Sequence, residues 1–317
     1  MGFFGRKRAP SVPHPRKEPR FDGPLTLERL EQIFQDCVDF TKRPVSLGEG
    51  GACTLTLCYL SGMVKMERVS DYVLRPLAQD EALARCGTPR QAMDRMKDGA
   101  LYNLSAEERT RLDAAVFDLV NGCCLLLFPW ESSVLSLNVG TEEKRSISSP
   151  SNETVLKGSR DAFVESLRTN TSLVRRRLRA PELRVEEHIV GRQSLTPVDV
   201  IWLKDIADPD MVRRVGERLD DMDVDGVESA GNLEEYLVPA AASAFPLILS
   251  TQRPDRFCQG LLEGRVGLLA DGIPLGWLVP GTIDQFFKTG QDQAYHWMVS
   301  SALRLIRWFC ALVTLVV

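Results

Sequence analysis

Histidine is scarce: there are three in 317 residues, His14, His188 and His296. They lie far apart in sequence, and none has a second ligand at metal-binding spacing. His188, inside an apolar run, reads as an ordinary strand histidine. None of the eight cysteines (Cys37, Cys53, Cys58, Cys86, Cys123, Cys124, Cys258, Cys310) forms a C-x-x-C pair. Most have apolar neighbours, so they read as reduced, buried thiols of an intracellular protein rather than a disulfide frame or zinc site. No G-x-x-x-x-G-K-[ST] loop exists; GEGGAC (48–53) has the glycines without the lysine and reads as a flexible turn. No G-x-G-x-x-G follows a strand, and no G-x-S-x-G elbow occurs. The N-terminus lacks the apolar core of a secretory signal. Neither charge dominates: 39 basic against 43 acidic residues leave a net charge of -4, which excludes bulk affinity for nucleic acid. No nucleophile, general base or metal set assembles, so the sequence predicts no catalytic, cofactor-binding or metal residues.

The nearest approach to a metal site is DDMDVDG (220–226). Asp221, Asp223, Asp225 and Gly226 match the opening of an EF-hand loop, but its twelfth position is Asn232 instead of the required Glu. Met222 and Val224 alternate with the acids as in a strand, so calcium is not expected.

What is present is an ordinary globular composition, 44% hydrophobic and 26% charged, long enough for two domains. Residues 1–24 are basic and proline-rich and read as a disordered arm, either solvated or leaning on anionic lipid through Arg6, Lys7, Arg8, Arg16, Lys17 and Arg20. A first α/β subdomain is expected over 25–145. It holds a helix on TLERLEQIFQDCVDF, a strand on CTLTLCYL, a helix on MERVSDYVLRPL stopped near Pro76, and a helix on SAEERTRLDAAVFDLV capped by Ser105 and Glu108. GCCLLLF and VLSLNVG follow as a strand hairpin. Residues 146–158 read as a linker.

A second α/β subdomain is expected over 159–290, with mixed sheets. Its first helix, SRDAFVESLRTNTSLVRRRLR, carries acids early and arginines late, as the helix dipole favours. Arg175, Arg176 and Arg177 are candidate interaction residues: they would receive a phosphate or an acidic partner, or equally form the solvated end of the helix. Reversing all three charges is expected to leave folding intact and disrupt assembly. Strands on LRVEEHIVG and VDVIWLKDIA follow, then a helix capped by Asp208 with Pro209 first. A short strand at VDGVES, a helix at NLEEYLV, a strand at FPLILS and a helix at DRFCQGLLEG come next. The hairpin RVGLLADGIPLGWLVP turns at Asp271-Gly272. The chain closes on LRLIRWFCALVTLVV, with no charge after Arg307. Ten residues of helix cover about 15 Å, half of a bilayer crossing.

Three segments, GSRDAFVESLRTNTSLVRRRL, GRQSLTPVDVIWLKDIADPDMVRRVGERL and TQRPDRFCQGLLEGRVGLLADGIPLGWLVP, resemble in order the A subunit of the GerA family of spore germinant receptors. The resemblance runs from Gly158 to the C-terminus, with a fainter echo from residue 25. It implies two cytoplasmic α/β subdomains before a bundle of transmembrane helices. It also implies partners: other A subunits, an integral-membrane B subunit, a lipoprotein C subunit and membrane lipid, at the spore inner membrane. The function it implies is coupling of nutrient sensing to ion release, without catalysis. Where the family has Gly-Pro-Arg-Glu, this chain has Gly158-Ser159-Arg160-Asp161, though Ser159 can still cap the helix. Residues 297–317 then read as a partial transmembrane helix, broken inside the first span. Arg304 and Arg307 would stand at its cytoplasmic entry, and Trp297 and Trp308 at the interface. The alternative is a soluble α/β domain that binds a small ligand and has no membrane role.

Overall fold

The computed structural model describes residues 20–47, 54–86, 88–101, 106–129, 131–140, 161–227, 230–237, 247–282 and 296–316. Most of the arm, GEGGAC, Ser105 and the linker lie outside the described residues. The chain forms two units. The first takes Met1–Gln32, Lys42–Tyr59 and Met66–Val139; the second takes Ile33–Thr41, Leu60–Lys65 and Gly140–Val317. The units therefore do not follow the expected consecutive division, since residues 33–41 and 60–65 belong with the later one. The α/β class stands, but the sheets are antiparallel in place of the mixed sheets expected. Short connections such as 191–195 and 271–275 can join antiparallel neighbours, whereas parallel ones need a long crossover.

In the first unit the sheet runs β1-β2-β4-β5-β3. The strands are β1 (Phe40–Ser46), β2 (Thr54–Leu60), β3 (Ala106–Arg109), β4 (Cys123–Leu127) and β5 (Val134–Asn138). Helix α1 (Leu27–Ile33) is shorter than expected. Asp36 adopts a positive φ of 59° and turns the chain, so Cys37 to Phe40 leave the helical face. Helices α2 (Met66–Val69) and α3 (Arg75–Gln79) flank a π-helical turn, Ser70–Leu74. The chain therefore does not stop at Pro76. The wider turn shifts the bonding register (the Arg75 N–H reaches the Ser70 carbonyl), and proline sits at the start of α3, where no donor is needed. Short helices α4 (Glu81–Ala84) and α5 (Pro89–Arg95) follow.

The helix expected over 105–120 is two elements. Ala106–Arg109 is strand β3, paired with β5, and helix α6 spans only Leu112–Val120. Glu108 supplies the reason. Its carboxylate is held by Arg90 at 2.6 Å and Lys97 at 2.7 Å, and their hydrogen bonds, with one from Ser133, lower its pKa to about 2. Those tertiary partners outweigh a local capping box.

The second unit has the sheet β6-β7-β9-β10-β8: β6 (Leu183–Val190), β7 (Thr196–Leu203), β8 (Leu249–Thr251), β9 (Val266–Ala270) and β10 (Gly276–Val279). Both faces are covered. Along β7, Val198 and Val200 enter one core, which holds Val215 and Leu219 of α8 (Pro209–Asp220) and Leu233 of α9 (Ala230–Leu237). Ile201 and Leu203 enter the opposite core with Val174 of α7 (Leu167–Arg177) and Phe257 of α10 (Pro254–Leu262). The period-2 alternation sorts one strand's residues between two helical layers. Over 224–227, the described part of VDGVES, the expected strand does not form. The Val224 and Asp225 carbonyls instead accept from the backbone of Arg192, Gln193 and Ser194 in the β6–β7 turn, so no ladder remains available.

The Phe257 ring lies across β9 and β10 and packs edge-on against Phe163, with ring centroids 5.4 Å apart. Glycine at 267 and 276 makes room for it. A Cβ at Gly267 would stand 2.3 Å from the Phe257 ring, and one at Gly276 2.7 Å. Overpacking of this kind costs about 1–3 kcal/mol. Gly267→Ala is expected to lower stability by that amount in denaturant unfolding, and Phe257→Leu in the same chain should recover part of the loss.

Candidate functional site

Helix α7 carries the candidate arginines, and a stripe of polar residues runs along it: Arg168, Thr171, Ser172 and Arg175, at helical spacing. Thr171, Ser172 and Arg175 are buried. At the end of the stripe the Arg175 guanidinium grips Asp39 with two bonds, Nε to Oδ2 and Nη2 to Oδ1, each 2.7 Å. Nη1 donates to the Leu183 carbonyl at 2.9 Å. Both side chains are 2% exposed. Burial works against the arginine's charge, but Asp39 more than offsets it and raises its pKa. Around Asp39 the backbone is pinned too. Val38 N–H donates to the Val185 carbonyl, Val185 N–H to the Asp36 carbonyl and Ser61 N–H to the Asp39 carbonyl. Cys37 thus forms a parallel bridge on the outer edge of β6.

One turn back along α7, Thr171 Oγ1 donates to Asp199 Oδ2 at 2.5 Å. Asp199 is fully buried, and its other oxygen has no hydrogen-bond partner among the described residues. Burial pushes its pKa up to about 6, opposed by the Thr171 bond and by the charge of Arg168. Glu187, directly across the ladder from Asp199, adds to the rise and is itself bound by Arg168 at 2.5 Å. At Ser172 the neighbouring backbone is Gly62, with φ +80°. A Cβ there would lie 2.2 Å from the Ser172 hydroxyl, so glycine meets both a conformational and a space requirement.

The start of α7 differs from expectation. Asp161 and Glu165 precede the helix, which begins at Leu167. Its N-terminus is tied by Asp271 Oδ1, which accepts from Leu167 N–H at 2.9 Å. Asn170, fully buried, closes the approach by bonding both backbone groups of Val164. Ser159 lies outside the described residues.

The three candidate arginines are therefore not equivalent. Arg175 is an internal ion-pair member, so the expectation that its charge can be reversed without loss of the fold does not stand. Arg177 is half-buried and pairs with Asp161 at 2.6 Å. Arg176 is half-buried and stays a candidate for contact. Asp39 and Asp199 were missed. The signal for Asp199 was a lone acid inside the apolar run PVDVIWL; for Asp39, 136 residues from its partner, no local signal exists.

Trp297, Arg304, Arg307 and Trp308 all lie on one helix, Trp297–Val316. Leu305, Ile306, Phe309, Leu312 and Val313 are exposed along one side of it, Leu305 at 70%. Thr314 Oγ1 bonds back to the Cys310 and Ala311 carbonyls. No helix of the described residues is long and apolar enough to cross a membrane. Here the polar residues Ser300, Ser301, Arg304 and Arg307 occupy the first half of the helix.

Elsewhere the chemistry is quiet. Burial pushes the thiols of Cys58 and Cys258 up to about 12 and that of Cys123 to about 11, away from thiolate reactivity. No group of metal-ligating side chains gathers among the described residues, and Asp221 simply ends α8. His188 bonds Asp220 at 2.7 Å. A cleft of about 710 Å³ in the first unit borders Asp80, Asp94, Arg95 and Asp98. Asp80 caps α4 through Ala82 and Leu83 N–H, and Asp94 pairs with Arg90 at 3.3 Å.

Fold and site together define a two-unit α/β scaffold whose buried polar groups serve packing. Residues 28–317 match the family described as Bacillus/Clostridium GerA spore germination protein, and the chain belongs to that family. It is similar to spore germination protein B1 of Bacillus subtilis (strain 168): 33% identical over 259 residues, 82% of this chain and 53% of the relative. To spore germination protein XA of Bacillus anthracis it is 36% identical over 191 residues, 60% of this chain and 39% of that one. The chain spans about half the length of the curated relatives it matches. Its fold is that of the crystallised N-terminal domain of the A subunit of the Bacillus megaterium spore germinant receptor GerK3. The TM-score is 0.65 at 24% identity, covering 83% of this chain and 99% of that one.

Two outcomes test the site. Asp39→Ala leaves a buried guanidinium unpaired and should cost about 3–5 kcal/mol in denaturant unfolding, whereas replacing both partners (Asp39→Leu with Arg175→Met) should recover most of it. For Asp199 the folded pKa of about 6 lies above the ordinary 3.8, so the folded state favours the proton. Its contribution is most favourable below pH 3.8 and is lost as pH rises through 6. Asp199→Asn should flatten that part of a stability–pH curve and raise stability above pH 7 by roughly 2–3 kcal/mol.

Proposed function

We propose that this chain works as the cytoplasmic part of a germinant-receptor A subunit at the spore inner membrane, coupling nutrient sensing to ion release. It does so without catalysis, by assembling with copies of itself, with an integral-membrane B subunit and with a lipoprotein C subunit. Family membership over nearly the whole chain supports the receptor class. The observation that carries the membrane part is the exposed apolar side of Trp297–Val316. A face of that size on a helix calls for a covering surface. Thr314 already satisfies itself within the helix, as a hydroxyl in lipid must.

Flotation with vesicles tests the membrane part. The full chain should rise with anionic vesicles, and a chain lacking residues 296–317 should stay below while keeping its melting temperature. Deleting the gene should abolish nutrient-triggered ion release from spores that depend on this receptor alone. With Arg175 left in place, Arg176→Glu with Arg177→Glu should keep the fold and reduce co-purification of the B and C subunits. Ion release unchanged by the deletion would end the receptor reading for this chain.

A further inference from the structure

The second unit contains a groove that the receptor reading does not use. We infer that it is a binding site for a small monocarboxylate with a hydrocarbon tail and no ammonium group. Its volume is about 210 Å³. At about 30 Å³ per water this is the space of roughly seven waters, enough for a ligand of about eight non-hydrogen atoms. Met211 and Val215 of α8 form one wall, and Leu237, Ile248, Val279 and Pro280 form the others. The far wall is fixed in place: Gly281 N–H donates to the Leu247 carbonyl at 2.6 Å. A Cβ at Gly281 would lie 2.8 Å from the Leu247 backbone, so glycine permits that approach.

The polar groups at this apolar groove are cationic. Arg214 and Arg218, one helical turn apart on α8, both border it. Neither has an ion-pair partner among the described residues, whereas Arg213 on the same helix is taken by Asp210 and Glu217. Arg218 donates from Nη1 to the Leu237 carbonyl, which holds the guanidinium at the groove, and its other nitrogens have no partner among the described residues. Two guanidiniums beside a hydrocarbon-lined space match a carboxylate whose tail fills that space. The same lining discriminates against an amino acid of equal size. No carboxylate borders the groove among the described residues, so an ammonium group would be desolvated there without a partner.

The site does not depend on the receptor reading, and it is tested on the full 317-residue chain. With methionine methyl groups ¹³C-labelled, the Met211 signal (assigned by Met211→Leu) is followed during titration with three probes: 4-methylpentanoate, leucine and 4-methylpentan-1-ol. The expected result is saturable movement of Met211 with the acid, and binding at least tenfold weaker for leucine and for the alcohol. Arg214→Gln, an exposed position, should weaken the acid about fivefold and leave the alcohol unchanged; Arg218→Gln should do the same. If Arg218→Gln does not fold, Arg214→Gln decides. An unmoved Met211 signal at millimolar acid, leucine binding as well as the acid, or an undiminished affinity in Arg214→Gln would each overturn the assignment.

Discussion

A guanidinium and a carboxylate that are both almost wholly out of water are tolerable only as a pair, because either alone would carry an uncompensated charge in a low-dielectric interior. Arg175 and Asp39 stand in that relation, and much of the second unit is arranged by it. To meet Arg175, residues 36–39 must lie along β6, where their backbone groups bond Val185 and shield a sheet edge. To meet Asp39, α7 must turn its polar stripe toward that strip and its Leu167 and Val174 toward the Phe257 core. The third guanidinium nitrogen then fills a remaining acceptor at Leu183. Residues 136 positions apart in the chain thus fix a helix, a strand edge and a turn together.

The same stripe shows how differently buried polar groups can be treated. Arg175 and Asn170 have their main bonding groups engaged, so they specify geometry at little net cost. Asp199 is one bond short: Thr171 serves one oxygen, and the other faces the interior. Its response is to hold a proton more tightly, which replaces a costly charge by a less costly dipole. Arg168 and Glu187, more exposed, form a partly solvated pair on the same side, so the stripe grades from wet to dry along two turns of helix.

Most strands were legible in the sequence because their signal is local. CTLTLCYL, GCCLLLF, LRVEEHIVG and RVGLLADGIPLGWLVP are apolar runs bounded by turn residues, and each appears where the pattern placed it. The helix of DPDMVRRVGERL was legible from Asp208 and Pro209, and Asp208 does accept from Asp210 N–H. The failures share one cause, a distant partner overriding a local preference. Glu108 reads as a capping acid until Arg90 and Lys97 draw it into a strand. VDGVES reads as a strand until the β6–β7 turn takes its carbonyls. Arg175 reads as the solvated end of a helix because its partner lies in another stretch of chain. An arginine run at a helix end is ambiguous in sequence, since exposure is decided by what packs against each member.

The helix Trp297–Val316 carries the opposite lesson. Its two halves differ in composition, with Ser300, Ser301, Arg304 and Arg307 before a run whose one polar side chain is Thr314. Averaged over its length this is not a membrane-crossing segment. Resolved by face, it is a helix whose Leu305, Ile306, Phe309, Leu312 and Val313 stand in line and exposed, while its hydroxyl turns inward to its own carbonyls. The Thr314 hydroxyl in the second half is satisfied by the helix itself, as a hydroxyl leaving water must be. The arginines of the first half have stems long enough to keep their charge in a polar layer while that face is covered. Composition per residue and composition per face are different quantities here, and the second decides what surface this helix can meet.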